Sequence, residues 1–97
     1  MDLIIDTLAF IGGGNMARSL IGGLIARGHD PRTIRVAEPL DASRDALAKD
    51  FGVSVFADGA TAVQGASTWV LGVKPQVLRG VCEVLAPQAQ HAHPLVV

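Results

Sequence analysis

The sequence predicts an α/β domain built on a doubly wound parallel sheet, and three observations predict it. Short apolar runs alternate with stretches of helical periodicity along the chain, the pattern of βαβ units and a parallel sheet. The first run, Leu8-Ala9-Phe10-Ile11, breaks into Gly12-Gly13-Gly14-Asn15-Met16-Ala17, and an amphipathic stretch follows at once. Finally, 97 residues of which 49% are hydrophobic make one domain with a core of its own.

Each element has a local reason. Leu8 to Ile11 is short, uninterrupted and apolar, as a strand covered on both faces should be. Met16, Leu20, Ile21, Leu24 and Ile25 then recur at helical spacing, with Arg18 and Arg27 off that stripe and Gly28 as the stop. His29-Asp30-Pro31 marks a loop, Ile34 to Ala37 a second strand, and Glu38-Pro39 its end. Asp41 is placed to cap a helix through Leu47 to about Asp50, closed by Gly52, before a third strand at Val53 to Phe56. Asp58 caps a short, glycine-weakened helix through Ala62 and Val63. A fourth strand runs from Thr68 to Val73 and stops at Lys74-Pro75. Helical spacing resumes through Val77, Leu78, Val81, Val84 and Leu85 until Pro87 ends it, and Pro94 to Val97 opens a fifth strand. With right-handed crossovers the expected strand order is 3-2-1-4-5, a Rossmann-type arrangement truncated at its fifth strand. A domain that finishes inside a strand reads as part of a longer protein.

The break after Ile11 has the form G-x-G-x-x-A. Gly12 permits a tight turn, Gly14 lets backbone approach a pyrophosphate, and Ala17 keeps the helix close to the strand. The N–H groups at the start of the helix then point toward an anion. In strand order 3-2-1-4-5 the first and fourth strands meet at the switch point, so Gly12 to Ala17 and Gly72 to Pro75 fall on one side, where open α/β sheets bind ligands. The plainer alternative is a glycine-rich turn that binds no nucleotide.

Glu38 ends the second strand at about the interval beyond the glycines where an acid meets the adenosine ribose. A carboxylate there accepts from ribose hydroxyls and repels a 2′-phosphate, by about 1 kcal/mol for unit charges roughly 4 Å apart in water and several-fold more where solvent is partly excluded. Taken alone, Glu38 favours NAD. Arg35 and Arg44 lie near enough in sequence to pair with a phosphate if Glu38 turned aside, and Glu38 itself could be an ordinary solvated strand-end charge.

Composition excludes several classes of partner. A net charge of −1, from 8 basic and 9 acidic residues, leaves no electrostatic footprint for nucleic acid or an anionic membrane. One cysteine allows no internal disulfide and fits a reducing, cytoplasmic setting. Asp2 and Asp6 are out of place in a signal peptide, and no window approaches a transmembrane span.

Two steps together carry a family resemblance: Phe10-Ile11-Gly12-Gly13-Gly14-Asn15-Met16-Ala17 with Leu20 to Leu24, and Val73-Lys74-Pro75-Gln76. They resemble the N-terminal dinucleotide-binding domain of pyrroline-5-carboxylate reductase over nearly all of residues 1–97. The resemblance implies reduction of 1-pyrroline-5-carboxylate to L-proline by hydride from NADPH or NADH. It implies NADP(H) as the usual cofactor, with NAD(H) open because of Glu38. Carried across, Ile11, Gly12, Gly13, Gly14, Asn15 and Met16 would hold the pyrophosphate, Glu38 would lie beside the adenosine ribose, and Gly72, Val73, Lys74 and Pro75 would border the nicotinamide half. Pro75 would force the chain out of the sheet and leave strand-end carbonyls free for that half. Departures are Ser67 where Asp is common, Gly72 where Ala is usual, and Glu38 itself. The family's helical C-terminal region, which dimerises and binds the substrate carboxylate, has no counterpart in this sequence, so the chain alone is expected to bind cofactor without turnover. Two other readings are a related reductase passing hydride between NADP and coenzyme F420, and a nucleotide-sensing module without catalysis.

The remaining candidates carry less. No catalytic residue is identifiable, and Lys74 reads as readily as a solvated or phosphate-facing lysine as a chemical one. Cys82 is expected to be a small core residue, Trp69 to pack in a central strand, and His29 to sit in a loop. His91 and His93 form an H-x-H pair without Cys or acidic ligands close by, so no metal site is expected. Gly22 and Gly23 weaken the first helix by about 1 kcal/mol each relative to Ala, a cost expected to be returned by close helix-on-sheet packing or an interdomain contact.

Overall fold

The computed structural model describes residues 7–92 and 95–97. Strands β1 (Leu8–Ile11), β2 (Ile34–Ala37), β3 (Ser54–Phe56), β4 (Thr68–Leu71) and β5 (Leu95–Val96) form one sheet in the order β3-β2-β1-β4-β5, every pairing parallel. Helices α1 (Asn15–Ala26), α2 (Asp41–Phe51), α3 (Gly59–Ala62) and α4 (Pro75–Ala92) connect them, with a 3₁₀ turn, Pro31–Thr33, before β2. The Rossmann-type arrangement and its strand order are as the alternation of patterns predicts. Pro94 lies outside the described residues.

Alternation along each strand sorts the core into two clusters. Phe10, Ile34 and Val36 face α1 and α2, where they pack with Ala17, Ile21, Leu47 and Val53. Ala9, Ile11 and Ala37 face α3 and α4, where they meet Ala62, Val63, Ala66, Trp69 and Leu85. Trp69 is fully buried, as expected of a central strand.

Helix ends follow local chemistry in most places. Gly28, at φ +95°, follows the last turn of α1, where its N–H donates to Ile25 O at 3.0 Å and that of His29 to Leu24 O at 3.0 Å. These are the two bonds of a Schellman motif. Gly52 closes α2 in the left-handed conformation at φ +74°. Asp58 caps α3, accepting from the Thr61 N–H at 2.8 Å and its hydroxyl at 3.2 Å. That amide bond, foremost, holds the Asp58 carboxyl below its usual range. Asp30 likewise caps the 3₁₀ turn and is lowered by its side-chain bond to Arg32.

Four expectations need correction. Pro87 does not end the last helix: α4 runs on to Ala92, although the ring removes one amide donor. Its final turns are held from outside, since Gln88 Nε2 donates to Ala60 O at 3.2 Å and Ala89 packs on the core. Asp41 is not the cap of α2 but its first residue, paired with Arg44, while Leu40 holds the cap position. Cys82 is exposed, because the core-facing stripe of α4 is Val81, Leu85 and Ala89, and Cys82 lies one step around the helix. Gly22 and Gly23 do not serve close packing on the sheet. A Cβ on Gly22 would meet only Phe51 of α2, at 3.5 Å, and one on Gly23 nothing within 4 Å.

Candidate functional site

The carboxyl ends of β1, β2 and β4 meet at one edge of the sheet. Beyond Ile11, the Gly12 N–H donates to Ala37 O at 2.9 Å, and the Gly72 N–H donates to Ile11 O at 2.8 Å. The turn therefore leaves the sheet from between its two neighbours. Gly12 has φ +105°, and a Cβ built on it would stand 2.6 Å from Gly72 O and 3.4 Å from Val73 Cγ1. Both conformation and space exclude a side chain there.

Gly13 and Gly14 are glycines for different reasons. A Cβ on Gly13 would approach Leu47 Cδ1 to 2.7 Å and Glu38 Cβ to 3.3 Å, so a side chain there would have to displace the end of the buried Leu47 beneath the turn. Around Gly14 nothing lies within 4 Å of such a Cβ, and its φ of −77° suits any residue. What Gly14 leaves is open space in front of α1. That helix begins with no side-chain cap and no acid in its first turn, so its unpaired amides and positive dipole end face outward. Asn15 and Met16 are exposed beside them.

Glu38 is turned inward. It is 9% exposed, its Oε1 accepts from the Gly13 N–H at 3.1 Å, and its Oε2 accepts from the Leu40 N–H at 2.9 Å. It is not a solvated strand-end charge. The two arginines near it in sequence part company. Arg35 donates to Ala62 O at 2.8 Å and Thr61 O at 3.0 Å and stacks over Phe56, which commits it to the end of α3. Arg44 stays at the end of β2, donating to the carbonyls of Glu38 at 2.8 Å and Pro39 at 3.0 Å and pairing with Asp41.

On the other flank, β4 stops at Leu71, two residues earlier than expected, and Gly72 and Val73 lie against the glycine turn. Pro75 starts α4, where its fixed φ and missing N–H suit the first helical position. The chain is thus led out of the sheet by Gly72 to Lys74 before Pro75 is reached. The Lys74 carbonyl is not free: it accepts from Val77 N at 2.9 Å and Leu78 N at 3.1 Å. Lys74 itself is exposed.

Sequence reasoning missed a groove of about 380 Å³ at this edge, lined by Ile11, Gly59, Val77, Val81, Val84 and Leu85 among others. The signal was present in Val77, Val81 and Leu85 at intervals of four, but such spacing marks a helix face without saying whether the face is covered. Among the described residues no three His, Cys, Asp or Glu gather as metal ligands, and no helix is long and apolar enough to cross a membrane.

The residues present fit a diphosphate: Gly12 and Gly14 clear its approach, and the uncapped start of α1 supplies amides. A doubly wound parallel sheet carrying such a turn at its switch point defines a Rossmann-type dinucleotide-binding domain. Residues 7–97 match the family described as NADP oxidoreductase, coenzyme F420-dependent, and the chain belongs to that family. It is 48% identical over 80 residues to a pyrroline-5-carboxylate reductase of Pseudomonas aeruginosa, covering 82% of this chain and 29% of that protein. Identity to a Synechocystis protein of the same name is 42% over 91 residues, covering 93% of this chain and 33% of that one. The solved structure of a pyrroline-5-carboxylate reductase from Coxiella burnetii superposes with a TM-score of 0.92 at 36% identity, over 96% of this chain and 34% of that one. The chain thus spans about a third of the length of the proteins it resembles.

Proposed function

We propose that this chain is the NAD(P)H-binding domain of an oxidoreductase that reduces 1-pyrroline-5-carboxylate to L-proline. The observation that carries the reading is the 48% identity to the Pseudomonas aeruginosa reductase, joined to a turn built to receive a diphosphate. In this reading Ile11 to Met16 hold the diphosphate through backbone amides. Glu38 accepts from the adenosine ribose. Gly72 to Pro75 border the nicotinamide half, and the apolar groove beside Ile11 and Val77 receives the adenine ring. The bound cofactor supplies the hydride. The residues of this chain position it and exclude water behind it. Residues 1–97 form the dinucleotide-binding domain, and a helical region within the remaining two thirds of the relatives' length supplies the substrate pocket and the contact between subunits. A cytoplasmic setting accords with the single, exposed cysteine.

A second reading, hydride transfer between NADP and coenzyme F420, is favoured by the description of the matching family. It shares the cofactor half and differs only in what receives the hydride.

Two measurements test the proposal. Fluorescence titration of the chain with NADH and NADPH should show saturable binding of at least one, and no binding of either at millimolar concentration would remove both enzymatic readings. Residues 7–97 placed in the equivalent segment of the Pseudomonas aeruginosa reductase should support oxidation of the cofactor by 1-pyrroline-5-carboxylate. A folded, cofactor-binding chimera that reduces only F420 would turn the assignment to the second reading.

A further inference from the structure

Methionine is among the residue types most often buried, yet Met16 stands in the first turn of α1 with 60% of its surface exposed. Met16 Cε lies 3.7 Å from where a Cβ on Gly72 would stand, so the side chain runs from the helix after the glycine turn across to the end of β4. It thereby spans the seam between the two segments assigned to the cofactor. We propose that Met16 is an oxidation site: a peroxide converts its thioether to the sulfoxide, which weakens dinucleotide binding, and bound dinucleotide in turn shields the sulfur. This rests on the dinucleotide reading above.

The step balances with hydrogen peroxide as the one other reagent. A lone pair on the Met16 sulfur attacks one peroxide oxygen, the S–O bond forms as the O–O bond breaks, and sulfur is oxidised by two electrons. The departing hydroxide takes the proton from the transferred oxygen and leaves as water. A flexible, apolar group has become a polar one. On an open surface that change is silent. At the seam it is not, because a diphosphate brings negative charge and acceptors of its own, and the sulfoxide oxygen is a further acceptor set against them. The first amides of α1, which no side chain caps, also gain a competing acceptor within their own turn. Cys82, the other sulfur among the described residues, sits on α4 in a hollow shared with Trp69, Leu71 and Ala89, and no residue of the glycine turn lines that hollow.

The test has two arms. In the first, the wild-type chain is treated with hydrogen peroxide and Met16 sulfoxide is followed by peptide mass spectrometry, with and without saturating NAD⁺ or NADP⁺, which carry no hydride for peroxide to consume. Bound dinucleotide should slow oxidation of Met16 at least about fivefold relative to free methionine in the same solution. In the second, Cys82→Ser and Cys82→Ser/Met16→Leu chains are titrated with NADH and NADPH before treatment and after the peroxide has been removed. Oxidation should weaken binding by the Cys82→Ser chain about tenfold, and methionine sulfoxide reductase should restore it. The chain with Met16→Leu should bind after treatment as it did before. Unslowed oxidation of Met16 in a chain that binds the dinucleotide, full affinity in the sulfoxide form, an equal loss in the Met16→Leu chain, or loss of the fold by circular dichroism on oxidation would each overturn the inference while the dinucleotide reading stands. Failure of the untreated wild type to bind either cofactor would strike that reading and the inference with it. The first arm needs no variant, so it decides even where a substituted chain does not fold.

Discussion

The two faces of the sheet are packed by different rules. Under α1 and α2 lie Phe10, Ile21, Ile34, Val36 and Leu47, five of the six largest side chains that are fully buried. Under α3 and α4 the cluster is half alanine, with Trp69 as its one large member, and two apolar hollows of about 380 and 220 Å³ flank α4. Val77, Leu78 and Val84 of α4 remain exposed. The first face buries the larger side chains, although Met16, Leu20 and Leu40 stay exposed at its rim, and places Leu47 beneath the glycine turn. The second leaves apolar hollows on both sides of α4.

That contrast can be broken by truncating one leucine on each face. Leu47→Ala should cost about 3–5 kcal/mol in urea unfolding, because its close-packed surroundings cannot collapse into the space. Leu85, although buried, lines both hollows, so Leu85→Ala should fall near the low end, about 2 kcal/mol. Equal losses would mean the faces are equally tight.

The seam where β1 meets β4 gives a second pair. Gly12→Ala should destabilise by about 2–3 kcal/mol and abolish NAD(P)H binding, since both its φ and Gly72 O oppose a methyl group. Gly72→Ala should change stability by no more than about 0.5 kcal/mol, because its Cβ would meet nothing nearer than Ile11 O at 3.5 Å. A Gly12 variant that melts and binds like wild type would remove the turn from the site.

Smaller effects lie at the margins. Gly23→Ala should stabilise by about 0.5–1 kcal/mol in thermal melts, as an exposed helical glycine with open space around it. Loss of stability would mean that the open surface at Gly23 is needed for another contact. Asp58 gives a pH signature whose sign is fixed. Its folded value lies below the ordinary 3.8, so its contribution is in place above 3.8 and is lost as pH falls through the lower folded value. Asp58→Asn should flatten that part of the acid limb of a melting-temperature profile.

Much of this was legible in the residues because it is local. The strand order follows from alternation, Gly28 and Gly52 mark their helix ends, Asp58 its start, and the glycine spacing its turn. What was hidden depends on residues distant in sequence. Pro87 reads as a stop until Gln88 finds Ala60 across the helices. Glu38 reads as a ribose ligand, and nothing in its neighbourhood of the sequence says that Gly13, 25 residues earlier, already holds one oxygen. The groove beside α4 was invisible because periodicity reports which side of a helix is apolar and not how much lies against it.

Arg35 ties β2 to the short helix that follows β3. α3 is a single turn of four residues, too short to persist on its own, and it bridges the strand at one edge of the sheet to a strand on the far side of β1. Asp58 holds the Thr61 amide, and Arg35, stacked on Phe56, holds the carbonyls of Thr61 and Ala62. Arg35 and Phe56 stand on the neighbouring, paired strands β2 and β3. The carbonyl end of the turn is thus held by a residue outside it, and a change at Arg35 or Phe56 reaches α3 although neither belongs to it.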